Sequence, residues 1–417
     1  MQAYAEMKSA HSVWLDEVPA HWVVSRFRYE AAINGGQVDP REAPWRSMTL
    51  LAPNHIESNT GHVVRIESAE DQGADSGKYF VKQGQLVYSK IRPALNKAAI
   101  AETEALCSAD MYAISFRDQV EPRFALHYVL GRPFHTFATV SSLRVKMPKV
   151  NREELADVPW LVPPLEEQRA IADYLDRETA RIDTLIEEQQ RLIEMLRERR
   201  QAAIDAAFAA LDYERVQLRR FIDFLTSGSR GWGSYYADEG DRFLRIGNLP
   251  RANLRIGGEV QFVDLPPGVS EGSRTVLHQG DLLFSITAYL GSVAVVDEEW
   301  EGSYVSQHVA LCRLASDRVH PRYIGWFMLT TSGQDQLNEG AAGGTKIQLA
   351  LDDIRELKVP VGPVDEQQRV AAGIEGQTEK IDELIAESER FIELLRERRT
   401  ALITAAVTGQ IDVRGVA

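Results

Sequence analysis

The chain has 417 residues, of which 44% are hydrophobic and 26% charged, the composition of a globular protein large enough for several domains. There is no apolar run of membrane-spanning length and no basic-then-apolar leader at the start, so we expect a cytoplasmic protein. Cys107 and Cys312 are far apart and lack CxxC spacing, which argues against a disulfide framework and a cysteine zinc site. The net charge of −14 by itself argues against a nucleic-acid partner.

Residues 1–163 form the first predicted domain, of mixed α+β type. Short β-rich runs such as residues 85–89 are separated by Gly, Asn and Pro turns and followed by a short helical stretch. This domain holds 18 basic and 19 acidic side chains, so its charge is nearly balanced. Local basic faces are therefore compatible with the acidic total.

Residues 164–212 contain the first long predicted helix. Pro164 and the carboxylates after it suit a helix start, where the missing N–H is tolerated and the dipole favours negative charge. About 45 residues at ~1.5 Å each would make a rod on the order of 65 Å long. Its apolar residues alternate at spacings of three and four, as in the seam of a coiled coil. The predicted seam comprises Ile171, Leu175, Ile182, Leu185, Leu192 and Leu196.

Residues 213–362 form a second mixed α+β domain, and residues 363–417 contain a second long helix with a C-terminal tail. Residues 363–407 repeat residues 164–208 without a gap at an offset of 199, and about half of the positions are identical. Neither helix can bury its apolar stripe alone, so the simplest partner for each is the other copy. The two repeats hold 14 basic and 23 acidic residues, so most of the acidity lies on them. The second predicted seam comprises Val370, Ile374, Ile381, Leu384, Phe391 and Leu395.

Five segments in the same order resemble the specificity subunit of type I restriction-modification systems, and the resemblance covers essentially the whole chain. They are HSVWLDEVPAHWVVSRF, PPLEEQRAIADYLD, SGSRGWGSYYADEGDRFLRIGNL, GGTKIQLALDDIRELKVPVGPVDEQ and LLRERRTALITAAVTGQIDVR. The resemblance implies two target-recognition domains separated by two helices that pack as an antiparallel coiled coil. The internal duplication would then generate an approximate two-fold axis.

The resemblance also implies a non-catalytic subunit that reads double-stranded DNA with a bipartite target, one half per domain, while the helices set the spacing. Two modification (methyltransferase) subunits would dock on the repeats, and restriction (translocase-nuclease) subunits would join them. S-adenosylmethionine, ATP and Mg would be bound by those partners, with no cofactor on this chain. The domains differ greatly while the helices stay alike, as expected if the domains read different half-sites and the helices serve identical partners.

The candidate DNA contacts combine basic side chains with small polar donors in turn-rich segments, as phosphate and base contacts require. The alternative is that each segment is a solvated loop that does not contact DNA. The candidates are Arg46, Lys90, Arg92, Asn96, Lys97, Ser142, Arg144 and Lys146 in the first domain, and Ser227, Ser229, Arg230, Trp232, Arg245, Asn248, Thr345 and Lys346 in the second.

For two further sets of polar residues, the sequence favours a structural role over DNA contact. Ser306, Gln307 and His308 follow a strand-like run, and we interpret them as a hydrogen-bonded network. The arginine clusters at 197–200 and 396–399 are interleaved with glutamates, which favours helix pairing or subunit docking over phosphate contact.

Enzyme signatures are missing from the sequence. It has no GxSxG, HExxH, P-loop or Rossmann glycine motif, and its nine histidines show no metal-like spacing. Asp352, Asp353, Glu356 and Lys358 only loosely resemble a nuclease set. The alternative to a DNA reader is a coiled-coil scaffold whose two domains bind protein or another ligand.

Overall fold

The structure is a computed structural model that describes residues 3–33, 35–143, 148–266, 272–341 and 348–415. It divides the chain into two compact units, residues 1–189 with 390–417 (unit 1) and residues 190–389 (unit 2). Each unit contains one globular domain, which we call head 1 (residues 1–163) or head 2 (residues 213–362), and a part of each long helix. Within the described ranges, no helix combines the length and the apolar character that a membrane span requires.

Head 1 is built on short strands that form two four-stranded sheets and two strand pairs. The sheets have the orders β5-β7-β10-β6 and β4-β11-β8-β9, and the pairs are β1-β2 and β12-β3. The strands are β1 (Met7–Ser12), β2 (Leu15–Pro19), β3 (Val23–Arg26), β4 (Ala31–Ile33), β5 (Gln37–Val38), β6 (Leu50–Leu51), β7 (Lys78–Val81), β8 (Leu86–Ser89), β9 (Ala98–Ile100), β10 (Ala105–Cys107), β11 (Met111–Phe116) and β12 (Pro159–Val162).

The helices of head 1 pack an aromatic core against one sheet. The centre of the Trp160 ring lies 4.5 Å from the centre of the Tyr128 ring and 5.7 Å from that of the Phe27 ring, and all three side chains are buried. The helices are α1 (Phe27–Glu30), α2 (Pro122–Leu130), α3 (Arg132–Ser142) and α4 (Arg152–Ala156), followed by the long α5 (Leu165–Ala209).

Head 2 contains the sheets β14-β21-β18-β19 and β15-β17-β16-β20 and the pair β13-β22. Its strands are β13 (Arg215–Gln217), β14 (Ile222–Ser227), β15 (Tyr236–Ala237), β16 (Asp241–Leu244), β17 (Gln261–Val263), β18 (Leu282–Ser285), β19 (Val293–Val295), β20 (Tyr304–Val305), β21 (Val309–Leu314) and β22 (Lys358–Pro360). Its helices are α6 (Pro321–Met328), α7 (Thr331–Ala341) and α8 (Leu351–Glu356), followed by the long α9 (Val364–Val407).

The two heads share one sheet and differ in the other. The sheets β4-β11-β8-β9 and β14-β21-β18-β19 have the same strand order, and all their neighbours are antiparallel. The second sheets each contain one parallel pair, β10 with β6 and β16 with β20. In head 1, β7 follows β6 in the chain and pairs with β10. In head 2, β17 follows β16 in the chain and pairs with β16 itself. The heads therefore differ in strand pairing in the sheet that contains the parallel pair.

The long helices run antiparallel within each unit. In unit 1, Arg399 Nε of α9 lies 3.1 Å from Asp183 Oδ1 of α5. In unit 2, Arg200 Nε of α5 lies 2.8 Å from Asp382 Oδ1 of α9. Asp382 and Arg399 each lie 199 residues after Asp183 and Arg200, so the duplication produces the same ion pair twice. The predicted α+β fold with an antiparallel helix pair is confirmed.

The seam of the helix pair differs from the predicted one in the middle of each helix. Leu185, Leu192, Leu384 and Phe391 were predicted to lie in the seam, but they are 37–49% exposed, so the prediction was wrong at these four positions. The other eight predicted positions are buried or half-buried. The positions that turn inward on α5 are Leu175, Thr179, Ile182, Ile186, Gln189, Ile193, Leu196 and Arg200.

The error arises because leucine and isoleucine are adjacent at 185–186 and at 192–193, so either residue fits an apolar stripe. The inward positions alternate strictly at spacings of four and three, and they include polar residues such as Thr179 and Arg200. A search for apolar residues alone passes over those polar positions and slips by one residue.

Candidate nucleic-acid interface

In head 1 the loop 90–97 carries the densest group of predicted contacts. It follows β8 directly and contains two non-glycine residues with left-handed backbone, Arg92 (φ 46°) and Asn96 (φ 47°), on either side of a short turn that begins at Pro93. Left-handed geometry is costly for a residue with a side chain and is found where the surroundings enforce it. The Arg92 side chain is exposed.

This loop is fastened by its backbone to the residues after α3. The Arg92 N–H donates to the Pro148 carbonyl at 2.8 Å, and the Val150 N–H donates to the Lys90 carbonyl at 2.9 Å. Residues 148–150 therefore lie beside loop 90–97. The candidates Arg144 and Lys146 lie outside the described residues.

The turn Pro53–His55, which follows the candidate Arg46 in the chain, also contacts this loop. Lys97 Nζ donates to the Pro53 carbonyl at 2.6 Å, which ties the loop to the turn Pro53–His55. Arg46 is exposed but forms an ion pair with Glu70, which raises the pKa of the guanidinium group. Its charge is therefore already paired within the head.

Two candidates of head 1 are buried and support the loop. Asn96 is 1% exposed and donates from Nδ2 to the Leu130 carbonyl at 3.0 Å. Ser142 is buried, and its hydroxyl donates to the Thr139 carbonyl at 2.7 Å. Neither placement is that of a side chain that contacts bases from the surface.

Lys90 is half-buried, and its Nζ lies 5.3 Å from the centre of the Tyr112 ring, a cation–π contact. His135 Nε2 lies 3.2 Å from the Ala94 carbonyl, and burial lowers the pKa of this imidazole. Among the described cations of loop 90–97, Arg92 is thus the most exposed.

In head 2 the loop after β14 carries the first predicted contacts. Gly228 packs so closely on β20 that an added Cβ would lie 2.1 Å from the Val305 carbonyl oxygen, so only glycine fits. Ser229 forms a parallel bridge with Ser306. Ser227 is half-buried at the end of β14, and Arg230 is exposed at the tip of the loop.

Trp232 and Asn248 are buried supports of this region. The Trp232 ring lies 4.8 Å from the Phe243 ring and 5.1 Å from the Tyr304 ring. Asn248 Nδ2 donates to two backbone carbonyls at 2.8 and 2.9 Å, and its Oδ1 accepts from the Arg245 N–H. The Arg245 guanidinium is half-exposed and lies 3.8 Å from Glu259 Oε2.

Of the group Ser306, Gln307 and His308, which was predicted to form a hydrogen-bonded network, only Gln307 and His308 are bonded to each other, and the Ser306 hydroxyl is buried without a partner among the described atoms. His308 is bonded through both ring nitrogens, to Thr287 Oγ1 at 3.1 Å and to Gln307 Nε2 at 3.0 Å. His308 is exposed, and Gln307 Oε1 is buried without a partner among the described atoms. The network is therefore structural on one side and open on the other.

Sequence reasoning missed Tyr289 and Arg251. Tyr289 has left-handed backbone (φ 57°), is 57% exposed, and lies 5.3 Å from the Arg251 guanidinium carbon above its ring. The glycine two residues later, Gly291, marks the turn that presents it. Two further candidates of head 2, Thr345 and Lys346, lie outside the described residues.

The loosely nuclease-like residues have local structural roles. Asp353 Oδ2 accepts from the Ala350 N–H at 2.7 Å and so caps α8, and Asp352 pairs with Arg355 at 2.6 Å. In the described part of the chain, no group of three His, Cys, Asp or Glu side chains could hold a metal ion.

Comparison with known proteins places this architecture in a family. Residues 45–195 and 268–393 match the type I restriction modification DNA specificity domain. The type I restriction enzyme EcoDI specificity subunit of Escherichia coli is 34% identical over 179 residues, which are 43% of this chain and 39% of that relative's length. A putative MjaX specificity subunit of Methanocaldococcus jannaschii is 19% identical over 96% of both chains.

Solved structures agree on the fold. A chain from a type I R-M system whose complex assembly and conformational transition have been described covers 94% of this chain and 99% of its own, with a TM-score of 0.73 and 19% identity. The HsdS subunit from Thermoanaerobacter tengcongensis covers 94% and 98%, with a TM-score of 0.52 and 19% identity.

The fold and the duplicated matches define a two-headed DNA-specificity protein. The chain belongs to the type I restriction modification DNA specificity family. It is accordingly a sequence-specific DNA-recognition subunit rather than a catalytic one.

Proposed function

We propose that head 1 and head 2 each read one half of a bipartite DNA target and that the paired helices set the gap between the half-sites. DNA is then the target of loop 90–97 in head 1 and of the loops around Arg230 and His308 in head 2. We also propose a cytoplasmic location, because that is where such a target is found.

The observation that carries this proposal is a backbone framework that the two heads share and that holds different side chains in each. In head 1 the Lys90 N–H donates to the Asp110 carbonyl at 3.0 Å, and in head 2 the Ile286 N–H donates to the His308 carbonyl at 3.0 Å. The Leu349 N–H donates to the Ile286 carbonyl at 3.0 Å, just as the Val150 N–H donates to the Lys90 carbonyl at 2.9 Å. Equivalent positions thus carry a half-buried lysine in one head and a buried isoleucine in the other, so the same backbone framework holds different side chains in the two heads.

Electrostatics support the assignment of the loops. Arg92 and Arg230 are exposed at loop tips, and no ion pair of either is found among the described residues. An unpaired exposed arginine can contact a phosphate or the edge of a guanine. Arg46 and Arg245, which lie beside glutamates, would have to give up those partners first.

The helices offer a repeated surface for two identical partners. Leu192 and Met195 of α5 are exposed, and so are Phe391 and Leu394, which lie 199 residues later on α9. Exposed apolar side chains repeated on charged helices are typical of an interaction surface. We propose that one modification (methyltransferase) subunit docks on each copy and that restriction subunits join this assembly. S-adenosylmethionine, ATP and Mg would be bound by those subunits.

Footprinting of the chain together with its modification subunits tests the assignment. The wild-type complex should protect a split sequence. Arg92→Ala should weaken protection of one half-site and Arg230→Ala that of the other, with a loss of about 1–3 kcal/mol each. Arg41→Ala, which removes an exposed arginine already paired with Asp39, is the matched control and should leave both halves protected. A continuous footprint, or equal loss in both halves from either variant, would contradict the proposal.

The role of the helices as a spacer has its own test. Inserting seven residues at equivalent positions in both helices keeps the heptad pattern and lengthens the pair by about 10 Å, or about three base pairs of DNA. The gap between protected half-sites should lengthen accordingly. An unchanged gap would refute the spacer role and leave half-site reading untouched.

A further inference from the structure

In unit 1 the seam arginine does more than pair with its aspartate. The Arg399 side chain is 6% exposed, and its Nε donates to Asp183 Oδ1 at 3.1 Å. Its two remaining nitrogens donate to backbone carbonyls of head 1, Nη1 to Asn59 and Nη2 to Thr60, the latter at 3.0 Å. One guanidinium group therefore joins α5, α9 and head 1.

The head residues held by Arg399 lead directly to the candidate DNA loop. The Asn59 N–H donates to the Asn96 carbonyl at 3.0 Å, and Asn96 belongs to loop 90–97. Asn59, which has left-handed backbone (φ 66°), therefore accepts from Arg399 through its carbonyl and donates to loop 90–97 through its N–H. A continuous hydrogen-bonded path thus runs from Asp183 in the seam to the loop that carries Arg92.

Unit 2 contains the same seam pair without this path. Arg200 Nε donates to Asp382 Oδ1 at 2.8 Å, and its guanidinium carbon lies 5.9 Å from the centre of the Trp326 ring. Its Nη2 is buried and has no hydrogen-bond partner among the described atoms. The duplication has therefore kept the ion pair in both units, while only the unit 1 copy is hydrogen-bonded to backbone carbonyls of its head in the described residues.

We propose that Arg399 is a positioning residue that holds loop 90–97 of head 1 in a fixed relation to the helix seam. This inference rests on the proposed function, because its consequence for DNA requires that the loop reads a half-site and the helices set the gap. The chemistry requires arginine. A planar guanidinium can donate to one carboxylate and two carbonyls in different directions, whereas a lysine ammonium on a flexible stem keeps the charge but not that fork geometry.

Amide hydrogen exchange in the full-length chain tests the path without DNA. Arg399→Lys should speed exchange at Asn59 and in loop 90–97 by roughly tenfold, as expected when charge-assisted hydrogen bonds that hold a segment are lost. Arg200→Lys changes the duplicate position and should leave those amides unchanged. Asp183→Asn, which keeps an acceptor but removes the charge that orients Arg399, should give a smaller acceleration in the same segment. Unchanged exchange in loop 90–97 of Arg399→Lys would overturn the proposal.

A second measurement tests the consequence for reading. With modification subunits present, we compare the affinity for DNA of the cognate gap with that for DNA whose gap is one base pair longer or shorter. A loss of stability alone would lower both affinities alike. Arg399→Lys should lower the cognate-to-altered ratio several-fold, while Arg200→Lys should not. An unchanged ratio for Arg399→Lys, or an equal fall for both variants, would overturn the positioning role. A wild-type complex that ignores gap length would instead refute the proposed function, and the exchange measurement would still decide on the path.

Discussion

The two units fasten their heads to the long helices in the same way, with side chains that are sometimes identical and sometimes substituted. Gln168 and Gln367 are the identical case. Gln168 Oε1 accepts from the Glu121 N–H at 2.9 Å, and Gln367 Oε1 accepts from the His320 N–H at 2.8 Å. In each unit the amide nitrogen of the glutamine also donates at 2.8 Å to a carbonyl just before the long helix.

Elsewhere the partners have changed in pairs. Asp176 accepts from His127 Nε2 at 2.7 Å in unit 1, and the equivalent Glu375 accepts from Trp326 Nε1 at 3.2 Å in unit 2. A longer acid is thus matched with a different ring donor at the same junction. The comparison teaches that the junction requires a buried ring N–H and a helix carboxylate, and that their identities can vary together.

The largest effects should come from the seam itself, where two adjacent residues separate the observed register from the predicted one. Ile193 is 6% exposed and Leu192 is 37% exposed. Ile193→Ala should lower the free energy of unfolding by about 2–4 kcal/mol, because it leaves a cavity in a packed seam. Leu192→Ala should cost less than about 1 kcal/mol. Urea denaturation of both variants measures the difference.

The duplicate positions repeat this test on α9. Ile392→Ala should behave like Ile193→Ala, and Phe391→Ala like Leu192→Ala, since Ile392 is buried and Phe391 is exposed. Equal losses for the two members of either adjacent pair would contradict the seam described above.

The same residues show how far sequence could go. The duplication, the two helices and the residues at which they begin were predictable, because Pro164 and Pro363 stand directly before helices that begin at Leu165 and Val364. The register in the middle was not. Buried Arg200 breaks the apolar pattern, and its aspartate partner lies on the other helix, so the pair can be recognised only in three dimensions.

The loop placement of the candidate segments was predictable, whereas the orientation of their individual side chains was not. The segments around Lys90 and Arg230 do lie at loops, as expected from their turn residues. Sequence alone could not tell that Asn96 and Trp232 turn inward, because an asparagine or tryptophan in a glycine-rich or proline-rich turn suits either role. Tyr289 was missed because Gly291, the one nearby turn signal, does not tell whether the tyrosine before it is exposed or buried.

Removing the shared glutamine anchors should have the next largest effect. Gln168→Ala leaves the half-buried Glu121 N–H at the start of α2 without its acceptor and should cost about 1–3 kcal/mol of stability. Gln367→Ala should cost less, because Gln168 Nε2 also donates to the Gln119 carbonyl at 2.8 Å, a bond that is not found for Gln367 in the described structure. Chemical denaturation monitored in each head separately would reveal the difference, and a larger loss for Gln367→Ala would contradict this ranking.

The substituted junction predicts a pH dependence that arises in unit 1. Burial opposes the charge of Asp176, but hydrogen bonds and charges from His127 and Arg123 outweigh it and lower the pKa of this carboxyl. A lowered pKa stabilises the folded state above the ordinary aspartate value near 4 and loses that contribution as the pH falls below it. Asp176→Asn should therefore be less stable than wild type at pH 7, and the difference should shrink below about pH 4. Asp173→Asn, which removes a more exposed partner of Arg123, is the control and should have a smaller effect at pH 7.

The smallest effect should come from a difference between the two helices themselves. Gly373 of α9 is exposed within the helix, and an added Cβ would meet no atom within 4 Å, whereas α5 has a tyrosine at the equivalent position. Gly373→Ala should stabilise the protein by up to about 1 kcal/mol, because alanine restricts the unfolded chain and favours helix. Gly409, just after α9, is the opposite case, since its φ is +71° and an added Cβ would lie 2.3 Å from Pro19. Gly409→Ala should therefore destabilise the protein. Thermal denaturation measures the melting temperature of both variants, and a shift of both in the same direction would contradict these expectations.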